Sequence, residues 1–418
     1  MTLFKTSLRW GAMALACASL APALAVAAPT QILFVGNSYT FGRVDPVMSY
    51  NAANVHDLTA GFNATSSTGS NPWEPHPWGG IAGIFKQFTV EQGLDYDVSI
   101  SARNAASLRG QFLNTANAAW DLRGNVASKK WDVVVLQEQS DASLPYGLGK
   151  NANPLQFRAY ADKFEQFIHT GAAHSYTEKD LYGGLANCQQ TGNSVSACNQ
   201  VRTIAANTNA NANAKVYLTE TWARPDMVFA HLNTAADTTS ATGSPLPVSP
   251  NSQATLYYQT LAAMTADLHS SIYGEAASNG HFAGVIGVGD AFQLALDAGV
   301  VKTSGFYDAN GVFIANQAGE LMNLWWDDYL HASKYGSYLD ALVQFGTITG
   351  LDPRLLGGGE IAARELGIAQ ADALTLQNIA ARQLGLGASA VPEPASMATV
   401  LLGLGMLTAA RRRKRRAL

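Results

Sequence analysis

The chain predicts a doubly wound α/β sheet, with parallel strands buried between two layers of helices. Three observations carry this reading. Five short segments, residues 31–35, 96–102, 131–137, 215–219 and 282–288, are apolar and rich in β-branched residues, as strands covered on both faces are. Helix-compatible stretches at residues 80–92, 153–171 and 252–279 lie between them, and such alternation folds into a parallel sheet. The chain has 418 residues, 47% of them hydrophobic and only 14% charged, enough apolar material for a large core. In sheets of this kind functional residues gather at the carboxyl ends of the strands.

Taken in order, the first strand, Ile32-Leu33-Phe34-Val35, runs straight into Gly36-Asn37-Ser38-Tyr39-Thr40-Phe41-Gly42. A polar segment at residues 45–80 follows, containing the Pro-flanked aromatics Trp73, His76 and Trp78. These suit either a sugar-stacking lip or an anchor for their own loop. Residues 203–214 and 234–252 are rich in Asn, Ala, Thr and Ser and read as surface loops; loops of such length are functional or disordered. Residues 355–386 read as two short amphipathic helices, an extension beyond the sheet. No internal repeat is visible.

Both ends differ from the body. Lys5 and Arg9, an apolar run from Trp10 to Leu20, and the small residues Ala25-Val26-Ala27 follow the layout of a secretory signal peptide over residues 1–27. A membrane-spanning helix needs about 20 apolar residues, and Pro22 interrupts this one. At the other end Pro392-Glu393-Pro394 precedes an apolar stretch of 16 residues, Ala395 to Ala410, and then six basic residues, Arg411 to Arg416. Such a helix would lodge thinly in a membrane with its charges on the cytoplasmic side. The order of these elements over residues 391–418 resembles the PEP-CTERM sorting signal of Gram-negative bacteria. That resemblance implies recognition and cleavage by an exosortase during export. It also implies transient or permanent membrane contact through the C-terminal transmembrane helix, and release to the periplasm, outer surface or extracellular matrix. A plain membrane anchor is the other reading of the same residues.

Without the leader and the residues after Pro394 the net charge falls from −4 to about −12, which makes nucleic acid and anionic lipid poor partners. Cys17 leaves with the signal peptide, while Cys188 and Cys198 stand close together in a Gly/Asn/Ser-rich stretch. In an oxidising compartment they are expected to form a disulfide. The eight histidines are scattered, with no His-Glu-x-x-His or other ligand spacing, and no Gly-rich phosphate loop is present. Neither metal nor cofactor is therefore expected.

Ser38 follows a strand directly, where its hydroxyl would face the active edge of the sheet; a serine at a helix start is also an ordinary N-cap. A serine nucleophile needs a base within hydrogen-bond reach. Far downstream, Asp328 and His331 stand three apart in Trp325-Trp326-Asp327-Asp328-Tyr329-Leu330-His331. This spacing lets a carboxylate hold an imidazole by one nitrogen and leave the other free. Together Gly36-Asn37-Ser38 and Asp328-Tyr329-Leu330-His331 resemble the first and last sequence blocks of the SGNH (GDSL-like) hydrolases.

That resemblance covers residues 30–346 and implies a flavodoxin-like three-layer α/β/α sandwich with a five-stranded parallel sheet. Residues 347–390 then form a helical extension and linker. It also implies Ser38 as nucleophile, His331 as general base and Asp328 as its orienting carboxylate, with Asp327 as the alternative if the register slips. The middle blocks depart from the family. After the second strand, Arg103-Asn104-Ala105-Ala106 has no glycine, so an Ala105 or Ala106 N–H must serve. After the third, Gln137-Glu138-Gln139-Ser140 carries Gln139 where an asparagine is usual. With the Ser38 N–H, Ala105 and Gln139 would make the oxyanion hole. Glu220-Thr221-Trp222-Ala223-Arg224 and Gly289-Asp290-Ala291-Phe292 fall at the same sheet edge, as pocket walls or packing elements.

The implied function is an exported serine esterase acting through an acyl-enzyme on carboxylic esters. The tail's association with exopolysaccharide producers directs attention to acyl or acetyl groups on carbohydrate. The altered middle blocks motivate a second reading, a non-catalytic glycan-binding surface or matrix protein on a degenerate hydrolase fold.

Overall fold

A strand whose residues are apolar at both odd and even positions must be covered on both faces, and the central strand of this protein is one. β1 (Thr30–Gly36) buries Ile32 and Phe34 on one face and Leu33 and Val35 on the other, all fully. The computed structural model describes residues 28–43, 45–61, 75–115, 121–231, 256–317 and 319–387. The leader at 1–27, the segment carrying Trp73 and the sorting tail at 391–418 lie outside these residues.

β1 pairs in parallel with β3 (Tyr96–Ala102) on one side and β4 (Val133–Gln137) on the other, so that Ile32 stands opposite both Val98 and Val133. β7 (Lys215–Glu220) and β8 (Gly284–Gly287) extend the sheet beyond β4. The five strands expected from the sequence are all present, but the sheet has six. The sixth is β2 (His56–Asp57), a two-residue edge strand beside β3 in the segment read as a loop. Two residues carry no periodicity by which to find it. The order β2-β3-β1-β4-β7-β8 is, without that edge, the flavodoxin-like order, and β3 and β4 leave β1 on opposite sides. The carboxyl end of β1 is thus the topological switch point, where an open α/β sheet forms its crevice.

Two apolar layers cover the sheet. On one side, α2 (Gly80–Glu91), α6 (Val288–Asp297) and α7 (Lys334–Thr349) pack with Ile32, Phe34, Val98 and Val135. On the other, α3 (Leu108–Leu113) and α4 (Pro154–His169) pack with Leu33, Val35, Leu136 and Leu218. α5 (Leu261–Ser278) closes the β8 edge and gives Leu268 to the first layer and Ile272 to the second.

Two further features pack on these layers. An antiparallel hairpin, β5 (His174–Thr177) with β6 (Val201–Ile204), encloses the segment in which Cys188 and Cys198 are disulfide-bonded, their Cα atoms 5.9 Å apart. Buried Glu178 ties the hairpin down, accepting from Arg109 Nε at 2.5 Å, Arg202 Nη2 at 2.6 Å and Tyr160 Oη at 2.8 Å. Of the C-terminal helices, α8 (Ile361–Glu365) lies against α2 and α9 (Gln370–Gln383) against α7 and α6, and Ala362, Leu376 and Ile379 belong to the same apolar cluster as the sheet.

If this packing carries stability, Leu376→Ala, which empties a fully buried position, should cost about 2–4 kcal/mol. Urea denaturation monitored by tryptophan fluorescence measures it; a cost below about 0.5 kcal/mol would mean that α9 is a dispensable appendage.

Candidate active site

The turn that follows β1 leaves no room for a side chain at its first residue. A Cβ on Gly36 would come within 1.8 Å of Thr40 Oγ1 and 2.7 Å of Gln137 Oε1. Asn37 then caps the short helix α1 (Ser38–Phe41), its Oδ1 accepting from Tyr39 N at 3.1 Å. Its Nδ2 donates to the carbonyls of Ala106 at 3.1 Å and Glu138 at 3.3 Å. One buried amide therefore joins the ends of β1, β3 and β4.

Ser38, at the start of α1, is turned towards the segment before α7. Its Oγ lies 2.8 Å from His331 Nε2, and His331 Nδ1 lies 2.5 Å from Asp328 Oδ2. The other carboxylate oxygen accepts from the backbone N–H groups of Leu330 at 2.9 Å and His331 at 2.8 Å. Burial opposes ionisation of Asp328, but the adjacent imidazole and these donors hold its carboxyl below the usual range. Asp327 has no such partner among the described residues: burial, with the neighbouring Asp328 charge, raises its pKa. The imidazole is held by Asp328.

The segment is locked from behind. Tyr39 Oη, at 2.8 Å, and Trp222 Nε1, at 3.1 Å, both donate to the Leu330 carbonyl. The Tyr39 and Trp222 rings stack at 4.0 Å, and Phe292 stacks on the far side of Trp222 at 5.0 Å. Thus Trp222 and Phe292, noted at the active edge in the sequence, support the site from beneath. Tyr329 takes φ +53°, and its Oη donates to the Ile314 carbonyl at 2.5 Å.

The turn after β3 explains the absent glycine. Ala105 stands at φ +56°, in the left-handed region where a Cβ costs about 1–2 kcal/mol. The backbone has the conformation that glycine would ease, with alanine in its place. Ala105, Gln139 and Ser38 line one cavity of about 690 Å³. Neither the Ser38 nor the Ala105 N–H donates to a backbone acceptor outside its own element among the described residues. Gln139 Nε2 lies 3.4 Å from Ser140 Oγ, and its Oε1 is buried without a partner among the described residues.

Two groups hold this turn: Glu138, to which the sequence assigns no role, and Arg224, which it places at the active edge. Glu138 is buried, and its Oε1 accepts from Gln139 N at 2.6 Å and Leu108 N at 3.1 Å. Arg224 forks onto Asp226 at 2.9 and 2.6 Å and donates to Ser140 Oγ at 2.9 Å. Each is an ordinary charged residue in sequence, and only burial reveals its task. Trp78 also departs from the sugar-lip reading. It is 5% exposed and stacked between Phe41 at 3.8 Å and His76 at 3.7 Å, with Asp57 Oδ2 bonded to His76 Nδ1 at 2.5 Å. These residues anchor their loop beneath α1.

Three substitutions test this account. Ala105→Gly relieves the positive-φ strain against a glycine entropy cost of about 0.5–1 kcal/mol, so it should be neutral or stabilising by up to ~1 kcal/mol. Ala105→Val should destabilise by more than ~1 kcal/mol. Burial pushes the Glu138 carboxyl up to about 7 from 4.5, against the pull of its two N–H donors. The folded state then binds this proton more tightly than the unfolded chain. Its stabilising contribution is complete below the unfolded pKa and is lost as pH rises through the folded one. Glu138→Gln keeps an acceptor for both N–H groups, so its stability relative to the parent should rise by roughly 2–3 kcal/mol between acid and neutral pH. Urea titrations at both ends of that window measure this, and a pH-independent difference would remove the role given to burial.

Among the described residues no helix is long and apolar enough to cross a membrane; the stretch at 395–410 is outside them. No curated protein matches the chain. Among solved structures it is similar to a candidate SGNH hydrolase from Slackia heliotrinireducens, at 14% identity over 77% of this chain and 99% of that one, with a TM-score of 0.35. It is also similar to a DUF4886 family protein from Bacteroides uniformis, at 11% identity over 87% and 98% of the two chains and a TM-score of 0.39. A third likeness is to phospholipase A1 from Streptomyces albidoflavus, at 13% identity over 77% and 99%, with a TM-score of 0.32. Residues 390–416 match the PEP-CTERM protein-sorting motif, the mark of a protein exported and sorted in Gram-negative bacteria.

Proposed function

We propose that this chain is an exported serine esterase that removes short acyl groups, such as acetyl, from polar carbohydrate. The observation that carries the reading is the continuous hydrogen-bonded line Ser38 Oγ–His331 Nε2, His331 Nδ1–Asp328 Oδ2, at 2.8 and 2.5 Å, opening on a cavity. Ser38 Oγ attacks the ester carbonyl while its proton passes to His331 Nε2. The C–O bond to the alcohol then breaks, and His331 returns the proton to the departing oxygen. Water repeats the sequence on the acyl-Ser38 ester and releases the acid. Asp328 stabilises the imidazolium and keeps its orientation. The N–H groups of Ser38 and Ala105 are the oxyanion donors, joined by Gln139 when its amide turns Nε2 towards the cavity.

The cavity wall supports a polar substrate. Asn104, Asn151 and Gln156 bring amides to it, and Arg43, Lys150 and Arg224 bring positive charge. Its few apolar residues, Tyr39, Ala105, Ala142 and Leu330, do not make a trough for a long acyl chain. The sorting tail supports action outside the cytoplasm, with an exosortase as processing partner.

Hydrolysis of p-nitrophenyl acetate and labelling by a fluorophosphonate test the reaction. Both should occur, and Ser38→Ala should abolish labelling and lower kcat at least ~10⁴-fold. Asp328→Asn should lower it ~10²–10⁴-fold and Gln139→Ala roughly 10–10³-fold. Esters with acyl chains beyond about eight carbons should turn over more slowly than acetate. A folded protein that neither labels nor hydrolyses would sink the esterase reading and leave glycan binding in its place.

A further inference from the structure

A second convergence of ionisable groups stands on the same sheet edge, behind Trp222. Glu220 ends β7, His269 lies on α5 and Asp290 is in the first turn of α6. One ligand atom from each lies within 4.8 Å of the others. Glu220 is fully buried. Its Oε2 accepts from Asp290 N at 3.0 Å, and its Oε1 is buried with no partner among the described residues. His269 Nδ1 faces the Asp290 carboxylate at 2.9 Å, and the Tyr273 ring stacks on the imidazole at 4.0 Å. Two carboxyl groups and an imidazole thus meet, and Asp290 is the charged group that acts on Glu220. Burying a carboxylate against another without a cation is costly.

We propose that Glu220, His269 and Asp290 bind one divalent transition-metal ion, Zn²⁺ or Mn²⁺, at a site apart from Ser38. The donor chemistry selects the class, because an imidazole nitrogen among carboxylates suits these ions better than Ca²⁺, which favours an all-oxygen shell. Three protein ligands leave outward positions for water, and the half-exposed His269 marks the open side, with 48% of its side chain accessible. The ion would clamp three elements together just behind the active site. The residues after Glu220 are Thr221, bonded to the Ser140 carbonyl at 2.9 Å, and Trp222, stacked on Tyr39. A clamp at Glu220 holds the strand end that carries them. The ion takes no part in ester chemistry, and the proposal stands independently of the esterase reading.

The test is calorimetric titration of untagged, chelator-treated full chain with Zn²⁺ and with Mn²⁺, alongside His269→Ala and Glu220→Gln. One ion should bind per chain and raise the thermal midpoint by roughly 2–4 °C at a hundredfold excess over Kd. His269→Ala alters an exposed side chain, so it should keep the metal-free midpoint and weaken binding at least tenfold. Glu220→Gln should weaken it further. No saturable uptake of either ion would overturn the site and leave Glu220 and Asp290 sharing a proton. Uptake unchanged in His269→Ala would overturn it equally, by locating the ion elsewhere.

Discussion

The active edge of this protein hangs on one buried amide. Asn37 spends its oxygen on capping α1 and its nitrogen on two carbonyls, Ala106 after β3 and Glu138 after β4. In a low-dielectric interior each of these bonds is strong, and each carbonyl would be costly to leave unpaired. Gln137 reinforces the knot from β4, its Oε1 accepting from Asn37 N at 3.3 Å and Thr40 Oγ1 at 2.9 Å. Gly36 has no space for a side chain, so Thr40 and Gln137 close directly over the backbone that leads to Asn37. Ser38 is thereby held relative to three strands before any downstream residue approaches it.

The imidazole arrives by a different constraint. His331 is 293 residues from Ser38 in sequence, and its loop is held by aromatic packing and by the doubly bonded Leu330 carbonyl. The positive φ at Tyr329 is strain that persists where surrounding contacts over-determine it. The Tyr39–Trp222–Phe292 stack supplies those contacts. Since Tyr39 follows Ser38 directly, the residue beside the nucleophile also positions the carbonyl beside the base. Nucleophile and base are mechanically linked through one ring as well as through their own hydrogen bond.

Around this centre the protein uses charge where apolar packing cannot reach. Arg224, buried, ties the β4 turn to the β7 turn through Ser140 and Asp226. Glu178 ties the hairpin to α3 and α4. These groups are fully partnered, the condition under which buried charge is tolerated. Among the described residues Glu220 is the exception among the buried carboxylates at the sheet edge.

Much of the fold was legible in the sequence. Buried parallel strands announce themselves as short continuous apolar runs, and all five such runs are strands. The Gly-Asn-Ser and Asp-x-x-His segments are equally local, since three-residue spacing and a small-residue turn are properties of neighbours. What local pattern could not reveal is of another kind. The two-residue strand His56–Asp57 exists because β3 offers it an edge. Trp78 suits either an exposed platform or a loop anchor until Phe41 is found against it. The turn at Ala105 lacks a glycine, yet its backbone adopts the left-handed conformation with alanine. Glu220, His269 and Asp290 have no shared motif because they come from three elements brought together only by the sheet. Local pattern in the chain was enough for the five buried parallel strands, the order of the blocks and the identity of Ser38, Asp328 and His331 as candidates. Tertiary structure alone decided which distant side chains meet, because burial and convergence depend on how elements pack and not on what lies beside a residue in the chain.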